Sequence, residues 1–210
     1  MRSNGTGCFV LTGDVRLTMN GYEIHCVGTS CSAAAVEGPD GVAGVVGGKI
    51  SGPFTFGVRE VNEVRGMTID GPATGIQQGL RIEQNVITNF GVWGIQSNLD
   101  AFGANNEQLP YVRNNFVDGA EGAQPIYKTG IIVNGPSNHE TEAALVTSNF
   151  VRNIVNGIWR FARKVDVLDN IVANATNVEI VVASGSGEVD GNVCDDPNTC
   201  LEPSAPWKMP

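Results

Sequence analysis

Along the second half of the chain an asparagine followed by two apolar residues keeps returning. It stands as Asn85-Val86-Ile87, Asn115-Phe116-Val117, Asn149-Phe150-Val151, Asn170-Ile171-Val172 and Asn192-Val193-Cys194, at spacings of 30, 34, 21 and 22 residues. Three residues before each asparagine lies another apolar residue: Ile82, Val112, Val146, Val167 and Val189. About nine residues beyond it, or fifteen in the second of these units, a glycine or asparagine precedes a third in four of the five units, in Gly94-Ile95, Gly130-Ile131, Gly157-Ile158 and Asn177-Val178. Three short apolar stretches per unit, separated by turn-forming residues, predict three short strands, and helical periodicity is absent from nearly the whole chain. A recurring unit of this length predicts a stack of like units rather than one wrapped core.

The first half follows the same scheme with less regularity. Ile24, Ile50 and Ile69 fall where the inward branched residue belongs, and Gly57-Val58 and Gly75-Ile76 supply the third-strand signal at the same phase. The steps from Ile50 to Ile69 to Ile87 are 19 and 18 residues, so the shortest circuit is about 18. That predicts roughly eight coils, a stack roughly 35–40 Å long at ~4.8 Å per strand. One domain over residues 1–200 and an extended tail over 201–210 account for the chain.

A circuit this short closes only with sharp corners. Asparagine suits them because it tolerates left-handed backbone geometry, and its amides, repeated in register, can bond coil to coil as a ladder. The pattern resembles the right-handed parallel β-helix superfamily of pectate lyases, polygalacturonases and NosD-like periplasmic proteins. The phrase Leu17-Thr18-Met19-Asn20-Gly21-Tyr22-Glu23-Ile24 is similar to that group's first-coil phrase, an apolar strand running into Asn-Gly-x-x-Ile. The resemblance covers most of residues 8–195. It implies a fold and, by the fold's usual company, a carbohydrate partner; fold by itself does not fix function.

Composition narrows the partners. A net charge of −9 with no basic stripe argues against nucleic acid, and no stretch is long and apolar enough to span a membrane. The acidity disfavours an unaided polyanion, although calcium could bridge one; no other cofactor is expected. Among five cysteines, Cys26 and Cys31 bracket a short loop, as do Cys194 and Cys200, and Cys8 remains. Two local disulfides with one free thiol suit an oxidising compartment, while zinc is the competing reading, weakened by the spacing and by only two histidines. No signal peptide opens the chain, so either a leader was removed, as an extracellular or periplasmic location expects, or the protein stays inside. The chain begins close to its first coil, which leaves an end cap to a missing segment or to a partner.

Loops on a rigid stack usually carry binding. Two insertions, 98–110 and 135–143, follow the third strand of neighbouring coils and so share a corner; a third, 120–129, lies at another. The paired loops offer Asp100, Glu107, His139, Glu140 and Glu142. Beside them runs the expected outward row Gln77, Gln96, Ile132, Trp159 and Glu179, with Arg160 and Arg163 close by. A glycan groove would use Asp100, Glu140 and His139 as catalytic groups and Trp159, Gln96, Glu107 and Arg160 as substrate contacts, Trp159 stacking on a pyranose face. The competing readings are that Trp159 packs under the 135–143 loop and that His139 is merely solvated. A second charged set, Arg81, Glu83, Tyr111, Arg113, Asp166, Glu188 and Asp190, reads as cross-coil ion pairs on a solvated face.

The family's catalytic signatures are missing. Of the polygalacturonase set only a double aspartate, Asp195-Asp196, is present, and neither the pectate-lyase Arg-x-Pro-x-x-Arg context nor a pectin-esterase signature occurs. A polysaccharide lyase or glycoside hydrolase is therefore weakened as an expectation. By strand alternation Val86, Phe116, Phe150, Ile171 and Val193 should point outward as an apolar stripe. A soluble chain rarely leaves such a stripe bare, so either residues 201–207 strap over it or it is a subunit interface. Two functions are thus expected: a carbohydrate-binding or carbohydrate-active β-helix protein acting on a polysaccharide, or a non-catalytic, oligomeric scaffold or adhesion-like module.

Overall fold

A computed structural model describes residues 7–29, 31, 33–39, 41–98, 111–120, 128–134, 144–160, 165–182, 187–196 and 200. Among them twenty strands join into one sheet, and no helix occurs. The pairings are parallel and form three ladders. Inward residues of the first run Leu17, Val45, Val64, Ile82, Val112, Val146, Val167 and Val189. Those of the second run Ile24, Ile50, Ile69, Ile87, Val117, Val151, Val172 and Cys194. Those of the third run Val36, Val58, Ile76, Ile95, Ile131, Ile158, Ile180 and Cys200. The protein is all-β and solenoid-like, and like residues stack on like.

Away from the ends these columns are at most 2% exposed, from Val45 to Val167, Ile50 to Val172 and Val36 to Ile180. Each such branched side chain leaves water at a gain of about 1.5–3 kcal/mol, so the columns are the main source of stability. Branched residues also suit the extended backbone, which leaves sequence and ladder in agreement.

Between the first and second ladders the expected amide ladder is present. The Asn85 backbone N–H and Nδ2 both donate to Asn115 Oδ1, at 3.1 and 3.0 Å. The same pair of bonds links Asn115 to Asn149, Asn149 to Asn170 and Asn170 to Asn192, at 2.9–3.0 Å. Each Nδ2 also donates to a carbonyl of a neighbouring coil, as Asn149 does to Val112 at 2.8 Å. The corner geometry differs from expectation. Left-handed backbone falls on the residue before the ladder asparagine: Gln84, Asn114, Ser148 and Asp169, with φ of 54–57°. The asparagine itself is committed to bonding, and its predecessor turns the chain. At the next corner asparagine does take the left-handed role, in Asn89, Asn153 and Asn174, where earlier coils have Gly52 and Gly71.

The third ladder is tied to the second by a glycine column. A Cβ on Gly57, Gly75, Gly94, Gly130 or Gly157 would lie 2.0–3.0 Å from the carbonyl oxygen of the next coil. Only glycine permits that approach. At the ends stand two disulfides, Cys26–Cys31 and Cys194–Cys200, with Cys8 unpaired.

Asn149→Ala should lower stability by about 2–4 kcal/mol in urea unfolding, because it orphans buried partners on both sides. Ser148→Gly, which only relaxes a left-handed position, should stay within about 1 kcal/mol of wild type.

Candidate functional site

The outward row of the third ladder, in register, is Arg59, Gln77, Gln96, Ile132, Trp159 and Val181. Val181, not Glu179, stands beside Trp159. Ile158 pairs with Ile180, so the third-strand position of the last unit is Glu179-Ile180 rather than Asn177-Val178. A bulge between Ile154 and Asn156 adds one residue to the later strand. A slip of two preserves which residues face inward, so the apolar pattern alone could not expose it.

Glu179 occupies the glycine-column position and is 2% exposed. Its carboxylate accepts the backbone N–H of Asp195 and Asp196, at 3.2 and 3.4 Å. It closes the end of the core rather than lining a surface. Among the described residues, Glu179, Cys194 and Cys200 form the one cluster of three metal-ligand side chains, and both sulfurs there are joined in a disulfide.

Trp159 is half-buried and faces outward, and its row neighbours Ile132 and Val181 are buried. Gln96 accepts from Gln77 Nε2 at 3.1 Å. Arg160 was expected beside Trp159, but alternation turns it to the opposite side. It is 1% exposed, and its Nη1 donates to the Val165 carbonyl at 2.7 Å. Burial pushes its guanidinium pKa down, against the pull of Asp166. Arg160 therefore offers no surface to a substrate. Asp100, Glu107, His139, Glu140, Glu142 and Arg163 lie outside the described residues.

The apolar stripe of the second ladder is where alternation placed it. Val86, Phe116, Phe150, Ile171 and Val193 are consecutive in register. Val86, Ile171 and Val193 are 40%, 42% and 58% exposed, and the two phenylalanines are partly exposed. The strap over 201–207 lies outside the described residues. The Phe116 and Phe150 rings stack with centroids 5.6 Å apart and planes 3° from parallel. Their facing surfaces are occupied by each other, which favours an apolar partner over sugar stacking.

Along the stripe's border runs a charged pair, Asp118 and Arg152, that the apolar repeat does not mark. Arg152 donates Nε and Nη2 to Asp118 Oδ2, at 2.8 and 2.7 Å, and its guanidinium lies 5.1 Å from the Phe116 centroid and 6.0 Å from that of Phe150. Asp118 Oδ1 accepts from Asn153 Nδ2 and the Ala120 N–H. Burial raises the Asp118 pKa, but the bonds from Asn153, Ala120 and Arg152 outweigh it and hold the carboxyl below its ordinary value. Both residues directly follow an inward valine, Val117 or Val151, so extending the repeat alignment by one column finds them.

Two further polar groups read as structural. Glu83 joins Arg113 at 2.7 Å and Arg65 at 3.4 Å across coils; the ion pairs are as expected, but the carboxylate that they share is buried rather than solvated. Ser51 Oγ donates to Glu23 Oε1 at 2.5 Å and lies 2.6 Å from His25 Nδ1. With its hydroxyl proton directed at the Glu23 carboxylate, Ser51 has only lone pairs to offer the imidazole; nucleophile activation would need the reverse. The Ser51 bond, then Lys49, holds the Glu23 carboxyl below its ordinary value.

These faces define an all-β protein of stacked parallel strands with one uncovered apolar ladder among its described residues. No helix there is long and apolar enough to cross a membrane. Compared with known protein families, curated proteins and solved structures, the chain matches none.

Asp118, depressed in the folded state, contributes stability above its unfolded pKa of about 3.9 and loses it as pH falls through the folded value. Asp118→Asn should therefore be less stable at neutral pH and show a flatter decline below about pH 4, read from thermal melts across pH.

Proposed function

We propose that this chain is a right-handed parallel β-helix of about eight circuits, of the pectate-lyase-like and NosD-like kind. Its role is association rather than turnover: a non-catalytic scaffold or adhesion-like module that docks another protein surface on its apolar ladder. The handedness follows from the strong preference of parallel crossovers for the right-handed connection. The observation that carries the function is the ladder Val86, Phe116, Phe150, Ile171 and Val193, unbroken over five coils and left open among the described residues. An extracellular or periplasmic site of action belongs to this reading, and the two disulfides support it.

Covalent footprinting of dilute protein tests the docking face. Phe116 and Phe150 should be modified to the extent of half-exposed side chains, read by mass spectrometry of peptides. Protection of both in dilute protein would mean that the chain covers its own stripe, and the reading falls.

One observation favours a second reading, binding of a polysaccharide: Trp159 is an aromatic side chain facing outward on the third ladder. That reading expects neutral or acidic polysaccharides, the latter with calcium as a bridge, to retard the protein in affinity gels. Trp159→Ala should then weaken retention at least about tenfold, as loss of a stacking aromatic does. Absence of retardation across the set sets it aside.

A further inference from the structure

We infer that the partner of the apolar ladder is a second copy of this chain, packed face to face with its stack running in the opposite direction. The two-fold axis would lie along the strands, between the Phe116 and Phe150 coils. This rests on the docking-face reading and adds the partner and its orientation.

The face is self-complementary. A two-fold contact must match a surface to itself. Two sheet faces can meet about an axis along the stack or an axis along the strands. An axis along the strands keeps each column opposite the same column and reverses the order of coils. Centred between Phe116 and Phe150, it sets Phe116 against Phe150 of the other copy, and Val86 against Ile171. The ladder reads the same from either end over these four coils: branched, aromatic, aromatic, branched.

The bordering column decides the orientation. It runs Thr88, Asp118, Arg152, Ala173 in register. The same axis sets Asp118 opposite Arg152 of the other copy, and Arg152 opposite its Asp118, so two ion pairs become an alternating four-charge cluster. Thr88 meets Ala173, which is uncharged on both sides. An axis along the stack would instead place this column against the far border of the stripe, at Gln84, Asn114, Ser148 and Asp169. Arg152 would find Asp118 nowhere across that interface. Opposed charges set register and orientation more than they set affinity.

The contact is small. Four coils at ~4.8 Å, one strand-width across, cover a few hundred Å² per copy, well below the ~800 Å² of a standard stable interface. The dimer should therefore be reversible, with a Kd of roughly 10–100 μM rather than nanomolar.

Sedimentation velocity of the full chain from about 1 to 300 μM tests this, since that range brackets the expected Kd. Wild type should shift from monomer to dimer. Arg152→Asp and Asp118→Arg should each weaken dimerisation at least about tenfold, and the double swap should restore it to within about threefold, as charge pairs across an interface do. Circular dichroism melts confirm that each variant is folded, and Arg152→Gln serves where Arg152→Asp is not. For orientation, in a Cys8→Ser background, Thr88→Cys mixed with Ala173→Cys should cross-link as an unlike pair, and neither should link to itself. Self-linking of Thr88→Cys, or charge reversals without effect, overturns the arrangement. A chain monomeric at 300 μM with Phe116 and Phe150 open to footprinting overturns the second copy and leaves the docking face standing. Protected phenylalanines in the monomer remove both.

Discussion

A buried primary amide must satisfy two N–H donors and an oxygen, and here it can do so only if the next coil lies directly above. Asn85, Asn115, Asn149, Asn170 and Asn192 meet that demand by bonding one another and the backbone between them. The ladder permits no sideways drift of coil over coil, because a shift would strand several buried polar groups at once. Everything else in the structure inherits this alignment. Branched residues fall on branched residues, the glycine column can approach the next carbonyl, and outward residues form straight rows. A straight apolar row is a flat surface, and that is how a requirement for amide bonding becomes a candidate for recognition.

Much of this was legible from spacing. The asparagines, the residue three before and the residue two after mark the first two ladders, and alternation then places the outward stripe without further information. What spacing could not supply was anything decided by local backbone. The left-handed residue is the one before the ladder asparagine, because the asparagine's own conformation is set by its bonds. The two-residue slip at Glu179 kept parity and so left the apolar pattern intact. Arg160 looked like a surface residue because it is charged, yet alternation from Ile158 already turned it inward. Position in the strand, not residue type, decides which way a side chain points. The loop carboxylates Asp100, Glu107 and Glu140 belong to insertions that carry no period, and repeat reasoning says nothing about where such residues go.

The charged groups divide by environment. Glu23 with Lys49 and Ser51 ties neighbouring coils at the surface, where such pairs contribute little each, whereas Glu83 is buried and needs Arg65 and Arg113 to compensate its charge. Asp118 is different: it holds four hydrogen bonds, stands beside partly exposed phenylalanines, and has an arginine spread over their rings. A charge pair next to an apolar strip is the usual border of a recognition surface, apolar in the middle and polar at the rim.

The two disulfides sit where a stack is weakest. An interior coil has a neighbour on each side, whereas a terminal coil has one, so a one-dimensional array loses structure from its ends inward. Cys26 closes the core at one end; Cys194 and Cys200 are the last inward residues of the second and third ladders at the other. Among the described residues, fraying of the last coil would have to begin at residues that are covalently held, while at the first coil the Cys26–Cys31 bond fixes the corner behind the outermost strands. In a reducing environment the same chain would keep its middle coils and unravel from both ends, and it would cease to melt as a single cooperative unit.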